Sequence, residues 1–242
     1  MNTVITELNG TIYCEFTGKV REAFRARGWD MWSCDILPAE DGSEYHVQDD
    51  ATSIVIVSGL HDRMAGIHWP CTYFTNSGVR WMYGGKGKVL APERVRKMRE
   101  SALGLRMLLD PLLAFKVPFY FENPTMHGMA TAEIERLIPW FKSATRQTIQ
   151  PWNFGAWETK ATNLWLHRLP RLEVKYQTIN ECRTALDLPL YVGEKLNKPR
   201  AACHLASPGP NRGQDRSRTL PEIASAMAEQ WGDYLQSSLF QR

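Results

Sequence analysis

The sequence predicts an α/β fold in which a mostly parallel sheet is covered by helices on both faces. Three observations support this fold class. Short β-prone runs alternate with segments of helical periodicity along most of the chain, which is the pattern of parallel sheets joined by helices. Hydrophobic residues make up 43% of the 242 residues, enough for a sizeable core. The five cysteines are scattered without a CxxC pair, which argues against a disulfide framework or a structural zinc site.

The individual elements follow from hydrophobic periodicity and from the turn residues at their ends. β-branched and aromatic runs predict strands, at residues 11–14, 29–34, 45–48, 64–68, 117–121, 147–150 and 160–166. Apolar residues three or four positions apart predict helices, at residues 20–27, 92–115, 130–138 and 220–239. Residues 54–57 fit either a strand or one face of a short helix, and their periodicity leaves both alternatives open.

Two segments lack clear periodicity. The first is a long loop from Trp69 to about residue 87, and long loops inside compact domains are usually functional or mobile. The second is a stretch of mixed charge and frequent proline from about Pro170 to Arg218. We therefore predict one main domain formed by residues 1–170 and 216–242, with a small irregular segment at residues 171–215.

The charge balance gives little guidance to function. The chain has 29 Lys and Arg against 26 Asp and Glu, a net charge of +3, so any nucleic-acid contact must come from a local basic patch. The start of the chain lacks the basic residues and the apolar run of a signal peptide, and no apolar stretch in the sequence is long enough to cross a membrane. We expect a cytoplasmic monomer with neither a membrane nor a metal as partner.

Conspicuous residues follow five of the predicted strands. Ligands of open parallel sheets bind at the carboxyl ends of the strands, and the residues at these positions are Glu15 and Gly18, Asp35, Asp50, Pro70 and Cys71, and Glu122, Asn123 and Pro124. Taken singly, each acid is equally consistent with an ordinary loop residue. The series as a whole indicates a cofactor site beside a reaction site.

The cofactor half of this arrangement favours an adenosyl group without a pyrophosphate. An acid at the end of the second strand, here Asp35, is suited to bind ribose hydroxyls, and a glycine in the first turn, here Gly18, allows close approach of the backbone to a ligand. The chain has no GxGxxG run and no P-loop, which disfavours a dinucleotide or a nucleoside triphosphate. S-adenosylmethionine meets these requirements.

The reaction half contains a candidate nucleophile and a candidate acid. Cys71 lies on a loop after a strand, where reactive cysteines occur, whereas Cys14 and Cys34 lie inside predicted strands and are interpreted as core residues. Glu122 is followed by Asn123 and Pro124, and partial burial would raise its pKa enough to share a proton with a ring nitrogen. A thiolate and an acid of this kind suit covalent catalysis on a pyrimidine.

Two motifs carry a family resemblance. The run Pro70-Cys71-Thr72-Tyr73-Phe74-Thr75-Asn76-Ser77-Gly78 resembles the Pro-Cys loop of DNA cytosine-5 methyltransferases, and Glu122-Asn123-Pro124 resembles their Glu-Asn-Val motif. Further segments are similar to a compact group of such proteins common in bacteriophages, at residues 14–24, 32–35, 150–155, 158–162 and 216–219. The likeness leaves mainly residues 174–206 unmatched. It implies a Rossmann-like S-adenosylmethionine methyltransferase sheet, with residues 171–215 as a reduced target-recognition region.

The resemblance also implies roles for individual residues. Cys71 would attack C6 of a flipped-out cytosine, Glu122 would contact N3 and the exocyclic amine, and Lys160 would help to orient the base. Pro70 would position the loop, and Asn123 belongs to the Glu122 motif. The residues that would hold S-adenosylmethionine are Glu15, Phe16, Gly18, Asp35 and Asp50.

Double-stranded DNA is the implied partner. Base flipping requires cations that hold the phosphates, and the candidates follow the Cys71 loop or stand late in the chain: Arg80, Lys86, Lys88, Arg216 and Arg218. A solvated charged surface is the open alternative for these residues. The basic residues at the start of the long predicted helix are interpreted as its solvent side; they are Arg94, Arg96, Lys97 and Arg99.

Three functional hypotheses follow. The first is a DNA cytosine-5 methyltransferase that acts through a Cys71 adduct. The second is a weakly active or inactive relative that binds DNA or a host protein to block defence systems, because the first motif has Cys14 and Phe16 in place of an aromatic residue and a glycine. The third keeps the covalent chemistry of Cys71 but acts on another pyrimidine substrate, such as RNA or a free nucleotide.

Overall fold

The computed structural model describes residues 8–76, 83–84, 89–201 and 218–239. The described strands, numbered in chain order, are β1 (Asn9–Tyr13), β2 (Asp30–Asp35), β3 (His46–Gln48), β4 (Met64–Ile67), β5 (Tyr83–Gly84), β6 (Val89–Leu90), β7 (Phe119–Pro124), β8 (Thr145–Ile149), β9 (Thr162–His167), β10 (Tyr191–Val192) and β11 (Lys195–Leu196). The described α-helices are α1 (Lys19–Arg25), α2 (Ala51–Ser58), α3 (Pro92–Ala114), α4 (Gly128–Leu137), α5 (Ile179–Ala185) and α6 (Pro221–Leu239).

Seven of these strands form one sheet, in the order β3-β2-β1-β4-β7-β9-β8. The pairs from β3 to β7 are all parallel, and β9 runs antiparallel to both of its neighbours, β7 and β8. The parallel strands bring their carboxyl ends to a single edge of the sheet. The predicted Rossmann-like α/β fold class is confirmed.

Helices cover both faces of the sheet because consecutive side chains of a strand point to opposite sides. On β1, Ile12 packs in a core cluster with Phe24 of α1. The next residue, Tyr13, belongs to a second cluster that contains Val55 of α2 and Leu108 of α3. The first face therefore carries α1, and the second carries α2, α3 and α4.

The terminal helix α6 completes the face that α1 covers. Trp231 of α6 is fully buried, and its ring stacks on Tyr120 of β7 with centroids 5.0 Å apart. The indole nitrogen of Trp231 donates a hydrogen bond of 2.9 Å to the carbonyl oxygen of Pro170. The chain after residue 217 thus returns to the central strands of the sheet.

The structure decides one alternative that the sequence left open, and two other elements differ from the sequence predictions. Residues 54–57, for which strand and helix were both open, lie in helix α2. Asp50 is the N-cap of this helix, and its side chain accepts a hydrogen bond from the backbone nitrogen of Thr52. The strand expected to stop at residue 121 continues to Pro124 as β7, because β9 extends the ladder as far as Thr162. The long loop contains a 3₁₀ turn at Cys71–Tyr73 and strand β5, which pairs with β6 just after the predicted end of the loop.

The segment at residues 171–201, the described part of the predicted irregular region, has little regular structure. Its helix α5 begins with a capping box in which Thr178 and Glu181 bond reciprocally, and β10 and β11 form a hairpin with exposed side chains. Within the described residues, no helix combines the length and apolar character needed to span a bilayer.

Candidate active site

The turn that carries Cys71 lies at the carboxyl end of β4. Pro70 is exposed, and Cys71 is half-buried as the first residue of the 3₁₀ turn Cys71–Tyr73. The backbone nitrogen of Phe74 donates to the carbonyl oxygen of Cys71 at 3.0 Å and closes this turn. The predicted nucleophile therefore lies at the edge of the sheet where parallel strands bind ligands.

Trp69 anchors the start of the turn. Its indole nitrogen donates to Ser101 Oγ of α3 at 3.0 Å, and its ring lies against Gly104, where a β-carbon would be 2.9 Å from two ring atoms. The carbonyl oxygen of Trp69 accepts a long bond of 3.4 Å from Asn123 Nδ2 of β7. Asn123 is fully buried, and its hydrogen bond connects the Cys71 turn directly to the strand that carries Glu122.

His127 holds the end of the turn. Its Nδ1 accepts from the backbone nitrogen of Ala130 as the N-cap of α4, so its Nε2 carries the proton and donates to the carbonyl oxygen of Tyr73 at 3.0 Å. Its backbone nitrogen donates to the carbonyl oxygen of Phe74 at 2.8 Å. Sequence reasoning missed His127, because only the folded chain brings the start of α4 to this turn.

Glu122 and Lys160 interact electrostatically at the edge of the sheet. Burial raises the pKa of Glu122, while the positive charge of Lys160 and a hydrogen bond from Thr162 oppose that rise. The Lys160 ammonium donates to the carbonyl oxygen of Arg218 at 2.7 Å, and its backbone nitrogen donates to Gln150 Oε1 at 3.0 Å. Both residues predicted at this side of the site are therefore brought together.

A neutral pair that the sequence did not indicate lies close to Glu122 and Lys160. The Nε2 atom of His68 and the hydroxyl of Tyr120 are 2.8 Å apart. Burial, reinforced by Lys160, lowers the pKa of His68 to about 3, and burial raises the pKa of Tyr120 well above its ordinary value. A β-carbon on Gly66 would lie 2.6 Å from the Tyr120 hydroxyl, so glycine is needed there.

On the side predicted to bind the cofactor, the carboxylate of Glu15 points to the first turn of helix α1. Glu15 is 3% exposed, and its two oxygens accept from the backbone nitrogens of Val20 at 2.8 Å and Arg21 at 3.2 Å. Burial raises the pKa of Glu15 to about 7 against these bonds. The side chain thus serves the first turn of α1, and its contact with a cofactor stays a prediction.

Two features of the structure require glycine at position 18. Its φ of +66° lies in the left-handed region, and a β-carbon would overlap the guanidinium of Arg21 and approach Asp41. Arg21 is fully buried; its guanidinium pairs with Asp41 and Glu22. This network supports the first turn, and Phe16 is half-buried beside it.

Asp35 and Asp50 lie near each other at the ends of β2 and β3. Besides burial, their charges raise the pKa of Cys14, which also adopts a left-handed φ of +60°. Asp35 accepts from the backbone nitrogen of Leu37 at 2.9 Å, and burial raises its pKa. The contact of these two acids with an adenosyl ligand stays a prediction. Among the described residues, no group of three His, Cys, Asp or Glu side chains could hold a metal ion.

Arg218, predicted to contact DNA, is engaged within the protein. Its guanidinium forms a two-pronged ion pair with Glu40 and lowers the pKa of that carboxyl. The backbone nitrogen of Glu40 donates to the carbonyl oxygen of Phe16 at 2.9 Å. Arg218 thus connects the cofactor side of the site with Lys160. The other predicted DNA contacts, Arg80, Lys86, Lys88 and Arg216, lie outside the described residues.

We expect the Arg218–Glu40 ion pair to appear as a coupling in a double-mutant cycle. Glu40→Arg and Arg218→Glu should each lower the free energy of unfolding, and the double variant should recover part of the loss, because the swap restores opposite charges. For a partly exposed pair the coupling is about 0.5–1 kcal/mol. Urea unfolding measures it, and 0.5 M salt, at about 4–5 Å screening length, should weaken it. Strictly additive single effects would contradict the pair.

The comparisons with known proteins give structural neighbours alone. No protein-family model and no curated protein matches the chain. An Entamoeba histolytica methyltransferase, EhMeth, is similar in structure, with 15% identity and a TM-score of 0.46 over 71% of this chain and 56% of that one. The S. pombe Dnmt2 methyltransferase is similar with 12% identity and a TM-score of 0.43 over 84% of this chain and 60% of that one. The chain thus spans less than two thirds of the length of either protein.

Proposed function

We propose that this protein is a DNA cytosine-5 methyltransferase that transfers a methyl group from S-adenosylmethionine to C5 of a flipped-out cytosine through a covalent adduct with Cys71. The observation that carries the proposal is the junction of the Cys71 turn and the Glu122 strand. The bond from Asn123 to Trp69 joins the two. The candidate nucleophile Cys71 and the candidate acid Glu122 therefore lie at one edge of the sheet.

Cys71 acts as the nucleophile in this scheme. Its thiolate forms a bond to C6 of the cytosine, and the electrons of the C5–C6 double bond move toward C5 while N3 gains a proton. After methylation, loss of the C5 proton to a base returns an electron pair to the ring. The bond from sulfur to C6 then breaks, and the thiolate leaves with its electrons.

Glu122 manages the proton at N3. Burial raises its pKa, which increases the protonated fraction relative to an exposed carboxyl. The protonated form can donate to N3 when the thiolate adds, and the carboxylate can take the proton back when the thiolate leaves. Lys160 limits this rise and keeps the carboxylate accessible. The neutral His68–Tyr120 pair adds no further charge next to Glu122 at neutral pH.

S-adenosylmethionine, when bound, supplies an electrophilic methyl group. Asp35 and Asp50 are the residues proposed to hold its adenosyl part, with Phe16 and the turn at Gly18 beside them. Glu15 contributes by fixing that turn through its bonds to α1. The proposed DNA contacts are cationic side chains that hold phosphates around an extruded base.

The proposal predicts a covalent complex with 5-fluorocytosine. Release of the enzyme requires the C5 hydrogen to leave as a proton. Fluorine at C5 cannot leave as a cation, so the methylated adduct cannot release the enzyme. We expect wild-type protein, S-adenosylmethionine and a pool of duplexes of random sequence carrying 5-fluorocytosine to give a complex that survives denaturing electrophoresis. The adduct should map to Cys71 in the tryptic peptide of residues 64–80.

The controls separate the three functional hypotheses. Cys182→Ala removes a buried cysteine in α5 and should leave trapping intact. Parallel reactions with 5-fluorocytidine RNA and with the free nucleotide test the alternative substrates. Calorimetry with S-adenosylmethionine tests cofactor binding. Binding of the cofactor without trapping on any substrate would contradict the proposed function.

A further inference from the structure

Arg94 departs from the solvent-facing role predicted for the basic side of α3. Its neighbours Arg96 and Lys97 are exposed and form ion pairs with Glu93. Arg94 is half-buried instead and turns toward the Cys71 turn. One residue of the basic series is thus directed at the candidate active site.

Two contacts fix the guanidinium of Arg94. Its Nη2 donates to the carbonyl oxygen of Thr72 at 2.7 Å, and its central carbon lies 4.3 Å from the centre of the Tyr73 ring, within the range of a cation–π interaction. The Nε atom is buried without a hydrogen-bond partner among the described residues. Arg94 therefore contacts both residues that follow Cys71.

The other charged and titratable groups described around the turn have interaction partners of their own. His127 uses one ring nitrogen on α4 and the other on the carbonyl oxygen of Tyr73. His68 bonds Tyr120, and Glu122 is influenced by Lys160. The remaining charged groups on the first turns of α3 belong to exposed ion pairs: Glu93, Arg96, Lys97, Arg99 and Glu100. Arg94 thus brings a permanent positive charge directly onto the turn.

We propose that Arg94 is a positioning residue for Cys71: it holds the backbone just after the thiol and favours the thiolate through its fixed positive charge. The proposal rests on the proposed function only in that Cys71 is the nucleophile there. Its consequence for the thiol can be measured without DNA or cofactor. Failure of the proposed function and failure of this inference are therefore distinguishable.

The test is the pH profile of alkylation of Cys71 by iodoacetamide, followed by mass spectrometry of the peptide of residues 64–80. The midpoint of the profile reports ionisation of the thiol, and its plateau reports access of the reagent. We expect Arg94→Met to raise the midpoint by about 0.5–1 pH unit and to slow alkylation at pH 7 about 3- to 10-fold. Arg94→Lys should restore most of the wild-type midpoint because it keeps the charge.

Two further variants make the result decisive. Arg94→Gln can still donate to Thr72 but carries no charge, so it should shift the midpoint as Arg94→Met does, and it replaces that variant if Arg94→Met fails to fold. Arg99→Met removes an exposed arginine from the same helix and should leave the midpoint unchanged. An unchanged midpoint in folded Arg94→Gln, or an equal shift in Arg99→Met, would overturn the proposal.

Discussion

Cys71→Ala is expected to eliminate the covalent complex with 5-fluorocytosine DNA and to reduce methyl transfer by at least about 10⁴-fold. The expected loss is this large because removal of the attacking atom leaves only binding and orientation, as in other enzymes that lose their nucleophile. The measurement is transfer of labelled methyl groups to DNA, read beside gel trapping. The half-buried position of Cys71 makes the substitution mild for folding.

Glu122→Gln provides the graded contrast. Loss of a proton donor typically costs about 10²–10⁴-fold, but the nucleophile remains, so a slow adduct should still form and still map to Cys71. Unchanged melting temperature and unchanged binding of S-adenosylmethionine in both variants would exclude unfolding as the cause. Methyl transfer by Cys71→Ala at the wild-type rate would contradict covalent catalysis by this cysteine.

Local sequence signals are sufficient to predict which residues stand at the ends of the parallel strands. Cys71 and Asp35 each follow a short run of β-prone residues, and a proline or a loop acid marks where pairing stops. The sequence also contains a signal for the helical conformation of residues 54–57, since Asp50 two positions before Thr52 is a helix N-cap pattern. The β-branched composition of the run obscured that signal.

The direction in which a side chain points is harder to predict than its position. Glu15 stands at the end of β1, as expected for a cofactor contact, yet its carboxylate bonds to the first turn of α1. Arg94 has the helical position of a solvent-facing residue, yet it lies over Tyr73, which is 21 positions earlier in the chain. Both outcomes depend on contacts that form only when distant segments meet.

Folding also shifts the pKa of buried ionisable groups, which makes stability depend on pH, and Glu15 is the clearest case. Its pKa is raised from 4.5 to about 7 in the folded protein, so the folded state retains a proton that the unfolded chain has already released. Its contribution to the free energy of unfolding is therefore fully present below about pH 4.5, declines as pH rises to about 7, and is constant above that. The decline corresponds to about 3 kcal/mol at 1.36 kcal/mol per pH unit.

We therefore expect the difference in unfolding free energy between wild type and Glu15→Gln to fall by about 3 kcal/mol from pH 4.5 to pH 7.5. The difference is the useful quantity because His68, with its pKa lowered to about 3, gives wild type an opposing rise in stability between about pH 3 and 6.5. Both proteins retain His68, so its effect cancels. Urea unfolding across this pH range makes the measurement.

Two matched variants test whether the effect comes from burial of a carboxyl. Asp62 has its pKa raised to about 7 by burial while it accepts bonds from Thr11 and Tyr13, so Asp62→Asn should give a fall of the same sign. Glu44 is exposed, so Glu44→Gln makes the same substitution without removing a buried carboxyl and serves as the matched control. A pH-independent difference for Glu15→Gln would mean that its carboxylate stays charged within α1, with the buried Arg21 supplying the compensating charge.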